Sequence, residues 1–231
     1  MAKFSVLLCS ALPPGTSGEA GGAFVKVDGR EALLKSVELF LNRDNVAQVQ
    51  IVFSPEGYEE AKRKYAPHLG LFGVKMLNGG PRWIDQIAAA AGKIAPEATH
   101  VILHDAARPA VAHSDIDALM EMAEKKTAVT LAAPLRAGLI EVDDGGNAVA
   151  LHSASQYLQL LTPQAMTKAR FEQMATSKHE LHASEWTVLR GSALNVRISS
   201  AGDAALVKAM INLLPKPKIK GPTSPFEEAQ W

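Results

Sequence analysis

Apolar runs of strand length alternate along this chain with amphipathic runs of helix length. FSVLLC (4–9), VAQVQIVFS (46–54), GVKMLN (73–78), HVILHD (100–105) and AVTLAAP (128–134) are largely apolar, as strands covered on both faces must be. Between them lie EALLKSVELFLN (31–42), GYEEAKRKYAPHL (57–69), RWIDQIAAAAGKIA (82–95) and SDIDALMEMAEKK (114–126). In the last of these Ser114 with Asp117 three residues on reads as a shortened capping arrangement. Strand, crossover helix and parallel strand repeat, so the expected fold is α/β: a mostly parallel, twisted sheet with helices on both faces.

After residue 134 the rhythm changes. LIEVDDGGNAVALH (139–152) has two alternating runs around Asp144-Gly145-Gly146, the composition of a β-hairpin, so residues 136 to 158 are expected to protrude as a β-arm. TPQAMTKARFEQMATSK (162–178) reads as a helix entered through Pro163, LNVRISS (194–200) as a strand, and AGDAALVKAMINLL (201–214) as a final helix. PKPKIKGPTSPFEEAQW (215–231) carries four prolines and little to bury. The organisation expected is one domain over 1–214 followed by a flexible tail over 215–231.

Charge narrows the partners. Lys plus Arg and Asp plus Glu are 24 each, which gives no basic surface for nucleic acid or for an anionic membrane, so any anionic ligand must be held locally. No apolar run approaches the ~20 residues needed to span a bilayer. The run Phe4 to Leu12 imitates a signal-peptide core but fits a first buried strand better. Cys9 is the single cysteine, which excludes an internal disulfide and fits a reducing, cytoplasmic compartment.

The run HVILHD stops at an acid. A carboxylate at the carboxyl end of a parallel strand is a place for a metal or phosphate site, which singles out Asp105. Asp203, at the start of the last helix, either converges with it on one divalent cation or serves only as a helix cap. Arg108, followed directly by Pro109, either reaches a phosphate or braces a carboxylate, and the brace is the preferred reading. Gly79 and Gly80 let backbone approach a ligand or make a plain turn. Thr162 and Gln164, flanking Pro163, mark a corner.

Four motifs now point one way: HDAARP (104–109), LTPQAM (161–166), NVRISSAGDAAL (195–206) and GGPR (79–82). With VDGREALLKSVELF (27–40) they spread over most of residues 1–214, and together they resemble the 2-C-methyl-D-erythritol 4-phosphate cytidylyltransferases of isoprenoid precursor synthesis. The resemblance implies a Rossmann-like nucleotidyltransferase fold and transfer of CMP from CTP to methylerythritol phosphate. It further implies Mg2+ at the strand ends and a homodimer made through the arm. On the matching positions it implies catalytic roles for Asp105, Lys26 and Arg82, and nucleotide contacts for Ala11, Gly15, Gly79, Gly80 and Asp85. Arg108, Arg136, Thr162 and Gln164 fall toward the acceptor, and Asp105 with Asp203 on the metal.

The cationic groups of that family are thinned here. Its first loop runs Ala-Ala-Gly-x-Gly-x-Arg and then Pro-Lys, whereas this chain reads CSALPPGTSGEAGGAFVKVDG, with Gly15 at the arginine and Gly22 at the lysine. Lys26 stands four residues away, ~13 Å along an extended strand. Pro13 and Pro14 remove two backbone donors. Ala137, Gly138 and Ile140 replace polar arm positions, Ala154 an arm arginine, and Asp85 a serine at the base. One lost transition-state contact costs ~10²- to 10³-fold in rate. The expectation is a divergent cytidylyltransferase of weak or lost activity, for methylerythritol phosphate or another polyol phosphate such as ribitol 5-phosphate. The alternative is a non-catalytic paralogue acting as a binding or regulatory dimer.

Overall fold

β1 (Phe4–Cys9) leads through a long loop to a short hairpin, β2 (Lys26–Val27) and β3 (Arg30–Glu31), and then to α1 (Ala32–Glu38). β4 (Val46–Phe53), α2 (Pro55–Leu71), β5 (Lys75–Asn78), α3 (Trp83–Ala89), β6 (His100–Asp105), α4 (His113–Ala123) and β7 (Ala128–Pro134) follow in strict alternation. β8 (Leu139–Val142) and β9 (Ala148–His152) make a separate hairpin before β10 (Leu158–Thr167), α5 (Lys168–Ser177), β11 (Thr187–Arg190) and α6 (Ala201–Leu213). This computed structural model describes residues 1–18 and 20–214; the expected tail at 215–231 lies outside the described residues.

Seven strands form one sheet in the order β11-β7-β10-β6-β1-β4-β5. β6, β1, β4 and β5 run parallel, as do β11 and β7, while β10 is antiparallel to both its neighbours. The pleat sends alternate residues to opposite cores. Phe4, Val6 and Leu8 of β1 meet Leu33 and Val37 of α1, Tyr65 of α2 and Ile116 of α4. Leu7 and Cys9 of the same strand face Ile87 of α3 and Phe171 of α5. Helices therefore cover both faces, as the alternation requires. None of the helices among the described residues is long and apolar enough to cross a membrane.

Four expectations are corrected. TPQAMT is not the start of a helix: it is the second half of β10, and α5 begins at Lys168 under the side-chain cap of Thr167. Pro163 is tolerated mid-sheet because the pairing of β10 with β7 skips from Leu161 to Gln164, so no ladder bond needs its missing N–H. LNVRISS is an irregular segment, held to the turn after β6 by the Ile198 N–H bond to the Ala107 carbonyl at 2.9 Å. The edge strand is instead TVLR, β11. The Ser114–Asp117 capping arrangement is absent: Ala112 occupies the N-cap without a side-chain bond, and Asp117 pairs with Arg43 at 2.5 Å. α1 and α3 also end before residues 42 and 95, the expected limits.

The β8–β9 hairpin forms as expected. Asp143 Oδ1 accepts from Gly145 and Asn147 N–H at 2.9 and 2.8 Å, and Gly146 takes φ +80°, a value that glycine adopts without strain. Its apolar side chains are left uncovered among the described residues: Ile140 is 63% and Leu151 78% exposed.

Candidate functional site

β6 lies between β1 and β10, and its carboxyl end delivers His104 and Asp105 to the centre of the sheet's upper edge. The chain turns there, with Ala107 N–H donating to Asp105 Oδ1 at 2.9 Å and Arg108 N–H to the Asp105 carbonyl at 3.0 Å. Arg108 folds back so that its Nε stands 3.5 Å from Asp105 Oδ2, and Arg197 brings its own Nε to 3.0 Å from the same oxygen. All three side chains are buried: 1% exposed for Asp105, 3% for Arg108 and 5% for Arg197. Burial pushes the Asp105 carboxyl up, and the two guanidinium groups with the Ala107 N–H pull it back. The same burial lowers Arg108, against the attraction of Asp105.

A polar network locks this corner. Arg108 Nη1 donates to the Asn195 carbonyl at 2.8 Å, and Asn195 Nδ2 donates to the Thr162 carbonyl at 2.6 Å. Thr162 Oγ1 accepts from Asp105 N–H and lies 3.1 Å from His104 Nδ1, while His104 Nε2 lies 3.1 Å from the Arg108 carbonyl. A carbonyl only accepts, so Nε2 carries the proton and Nδ1 takes the Thr162 hydroxyl hydrogen. Burial agrees, holding His104 neutral with its pKa driven down to about 3. Arg108 is placed against the Asp105 carboxylate and the Asn195 carbonyl.

The carboxylates proposed for a metal are both engaged. Asp203 is the partner of the Ser200 cap on α6, its Oδ2 accepting from Ser199 and Ser200 N–H at 2.8 Å each and from the Ser200 hydroxyl at 3.0 Å. Those donors hold its carboxyl below the usual range. Mg2+ requires near-octahedral oxygens at ~2.0–2.1 Å, yet Asp105 Oδ1 is bonded to backbone and Oδ2 faces two guanidinium groups. Among the described residues no group of three or more His, Cys, Asp and Glu side chains is placed to hold a metal ion. As folded, this donor set does not fit the ion.

The remaining positions scatter around the corner. Ala11 is buried, its N–H bonded to Gln86 Oε1 at 3.1 Å, so the first loop is pinned by α3. Gly15 takes φ +67° in open space. Gly79 is packed so that a Cβ would sit 2.5 Å from Val52, and one on Gly80 would sit 2.4 Å from Asp85, which makes both glycines packing requirements. Arg82 and Asp85 hold each other, Nε to Oδ2 at 2.7 Å and Nη2 to Oδ1 at 2.9 Å. Lys26 is exposed on the small hairpin opposite Glu31, and Arg136 is exposed at the base of the arm. Thr162 joins the network, while Gln164 donates to Thr130 Oγ1 at 3.2 Å and lines a cavity of about 300 Å³ with Pro14, Trp83, Leu103 and Trp186. Asp105, Arg108 and Arg197 are not part of that cavity.

Sequence reasoning missed Arg197, Asn195, His104 and Gln86. LNVRISS read as a strand, which would have turned Arg197 to solvent. A polar residue of intermediate length inside an otherwise apolar run, as His104 is, was the available signal.

The model of the 2-C-methyl-D-erythritol 4-phosphate cytidylyltransferase family matches residues 16–212. The chain is 28% identical over 230 residues to the 2-C-methyl-D-erythritol 4-phosphate cytidylyltransferase of Escherichia fergusonii, covering 90% of this chain and 95% of that one. Its fold is similar to that of the Francisella tularensis enzyme of the same name, with TM-score 0.72, 18% identity, and 90% and 100% of the two chains covered. It is also similar to CMP:2-keto-3-deoxy-manno-octonic acid synthetase complexed with CTP, with TM-score 0.65, 15% identity, and coverage of 92% and 99%.

Proposed function

Because the chain belongs to the 2-C-methyl-D-erythritol 4-phosphate cytidylyltransferase family, we propose that it is a divergent cytidylyltransferase that takes CTP and a polyol phosphate, methylerythritol phosphate first, with transfer far slower than its family name suggests. In such a transfer an acceptor phosphate oxygen bonds to the α-phosphorus of CTP as the bond to the departing pyrophosphate breaks, and negative charge builds on the phosphoryl oxygens. Rate then depends on cations and N–H donors fixed around that phosphorus.

The observation that carries the reading is the contrast between two halves of the strand-end corner. The β6 half is built and rigid, with Asp105, Arg108, Thr162 and Asn195 interlocked at the edge where α/β sheets bind ligands. The loop half has no cation to offer at either family position. A Cβ at Gly22 would lie 1.7 Å from the Ile198 carbonyl oxygen, so no side chain of any kind fits where the lysine belongs. Members of the family generally depend on a divalent metal, and the carboxylates of this chain do not accommodate one as they stand.

The test is pyrophosphate release from CTP with methylerythritol phosphate, then with ribitol 5-phosphate, in buffers with and without a divalent cation. The expected result is turnover well below the ~1–10 s⁻¹ common among enzymes. Turnover within that range refutes the slowed transfer. Absence of turnover together with absence of CTP binding by calorimetry refutes the CTP reading. It leaves the second one, a non-catalytic binding or regulatory dimer, which the exposed apolar arm favours.

A further inference from the structure

We propose that Arg197 is the resident cation of the Asp105 corner: its guanidinium occupies the place that a divalent ion would have to take to reach this carboxylate, and the chain binds no metal there. The proposal concerns the folded chain itself and does not depend on the transfer reaction, because a protein with no transferase activity would hold the same pair.

Four observations converge. Asp105 has two oxygens, and Oδ1 is spent on the Ala107 N–H at 2.9 Å. Oδ2 has Arg197 Nε at 3.0 Å and Arg108 Nε at 3.5 Å, with only 1% of the side chain exposed. An ion coordinated at ~2.0–2.1 Å that keeps several waters has no room in that setting, and it would sit within a few ångströms of two positive groups. Asp203, the other candidate ligand, gives its Oδ2 to two backbone N–H groups and a hydroxyl.

Arg197 also cannot step aside cheaply. Its Nη1 donates to the Ile198 carbonyl at 3.2 Å and to Ser199 Oγ at 3.0 Å. The segment that carries it is clamped on one side by the Ile198 N–H bond to Ala107, and on the other by Gly22, which leaves no gap against the Ile198 carbonyl. A guanidinium keeps its charge at every accessible pH, and its planar shape suits a carboxylate edge, so the pair persists where a hydrated ion would exchange. The residues that would release it are those that build the corner.

Mn2+ alone, without nucleotide, probes this directly. The full-length chain, labelled with 15N, is titrated with Mn2+ while free ion is followed by electron paramagnetic resonance and amide broadening by NMR. The expected result is no selective broadening of residues 104–108 at Mn2+ up to ~1 mM, a weak-binding limit of about −4 kcal/mol. A site tighter than ~1 mM that broadens those amides and disappears in Asp105→Asn overturns the proposal. Arg197→Met, checked by circular dichroism for wild-type secondary structure, is expected to uncover the carboxylate and bind Mn2+ at least ~10-fold more tightly than wild type. A folded Arg197→Met chain that gains no affinity shows that Arg197 is not the excluding group and also overturns it. Should that variant fail to fold, the wild-type broadening experiment decides alone.

Discussion

Replacing Gly22 with alanine adds one methyl group, and the structure says where that methyl would go. An ideal Cβ lies 1.7 Å from the Ile198 carbonyl oxygen, 2.8 Å from its carbon and 3.2 Å from Ala107 Cβ. Ordinary contact needs ~3.5 Å, so the 20–24 turn or the 195–200 segment must retreat by ~1.5–2 Å. Ile198 is not free to move: it is 0% exposed beside Val27, Ala110 and Val207, its N–H bonds Ala107, and its carbonyl receives Arg197. Overpacking of this kind costs ~1–3 kcal/mol. The hydrogen bonds strained with it add ~1 kcal/mol, so Gly22→Ala is expected to destabilise by ~2–4 kcal/mol.

For a domain of this size each kcal/mol lowers Tm by ~2–4 °C, which puts the expected drop at ~4–16 °C. Gly21 is the internal control, because a Cβ there meets nothing within 4 Å. Gly21→Ala should stay within ~0.5 kcal/mol of wild type. Thermal melts by circular dichroism and urea midpoints of both variants measure the difference. If Gly22→Ala melts within ~2 °C of Gly21→Ala, then the packing of this turn is not as described, and the argument that no lysine fits at position 22 falls with it.

Removing the carboxylate from the buried cluster in Asp105→Ala should cost ~3–5 kcal/mol, measured by urea denaturation, because a broken buried pair leaves charge without compensation; a loss below ~1 kcal/mol would mean the cluster is solvated. His104 makes stability pH-dependent: its folded pKa of about 3 lies below the unfolded value, so its contribution is complete above pH ~6.5 and is lost as pH falls toward 3. Between pH 6.5 and 5 that loss is ~2 kcal/mol. Comparing urea midpoints at pH 7 and pH 5 should show a smaller decline for His104→Asn than for wild type, and equal declines would refute the assignment. The exposed Ile140 and Leu151 of the β8–β9 hairpin call for a second copy. Light scattering at micromolar concentration should give a dimer mass for wild type and a monomer for Leu151→Glu, and a wild-type monomer would refute it.

Why the sheet could be read and the site only in part comes down to how each is encoded. FSVLLC, HVILHD and AVTLAAP are covered on both faces, so every residue reports burial and the runs match β1, β6 and β7 residue for residue. TPQAMT was misread because a proline beside a turn-like threonine resembles a helix entrance. The bulge that absorbs Pro163 depends on where β7 lies, which no local pattern contains. The arm was legible for the opposite reason: its period-2 alternation and Asp-Gly-Gly turn are local, and they form the hairpin with no support from the sheet.

Arg197 shows where local reading ends. Its neighbours Val196 and Ile198 alternate with it as a strand would, and that pattern turns the arginine outward. In the fold the segment pairs with no strand among the described residues, and the long side chain runs inward to a carboxylate 92 residues earlier in the chain, at 3.0 Å. Gly22 packs against the same segment, its missing Cβ leaving room for the Ile198 carbonyl, so the strand end, the 20–24 turn and the segment that carries the arginine meet at a point that no local pattern encodes.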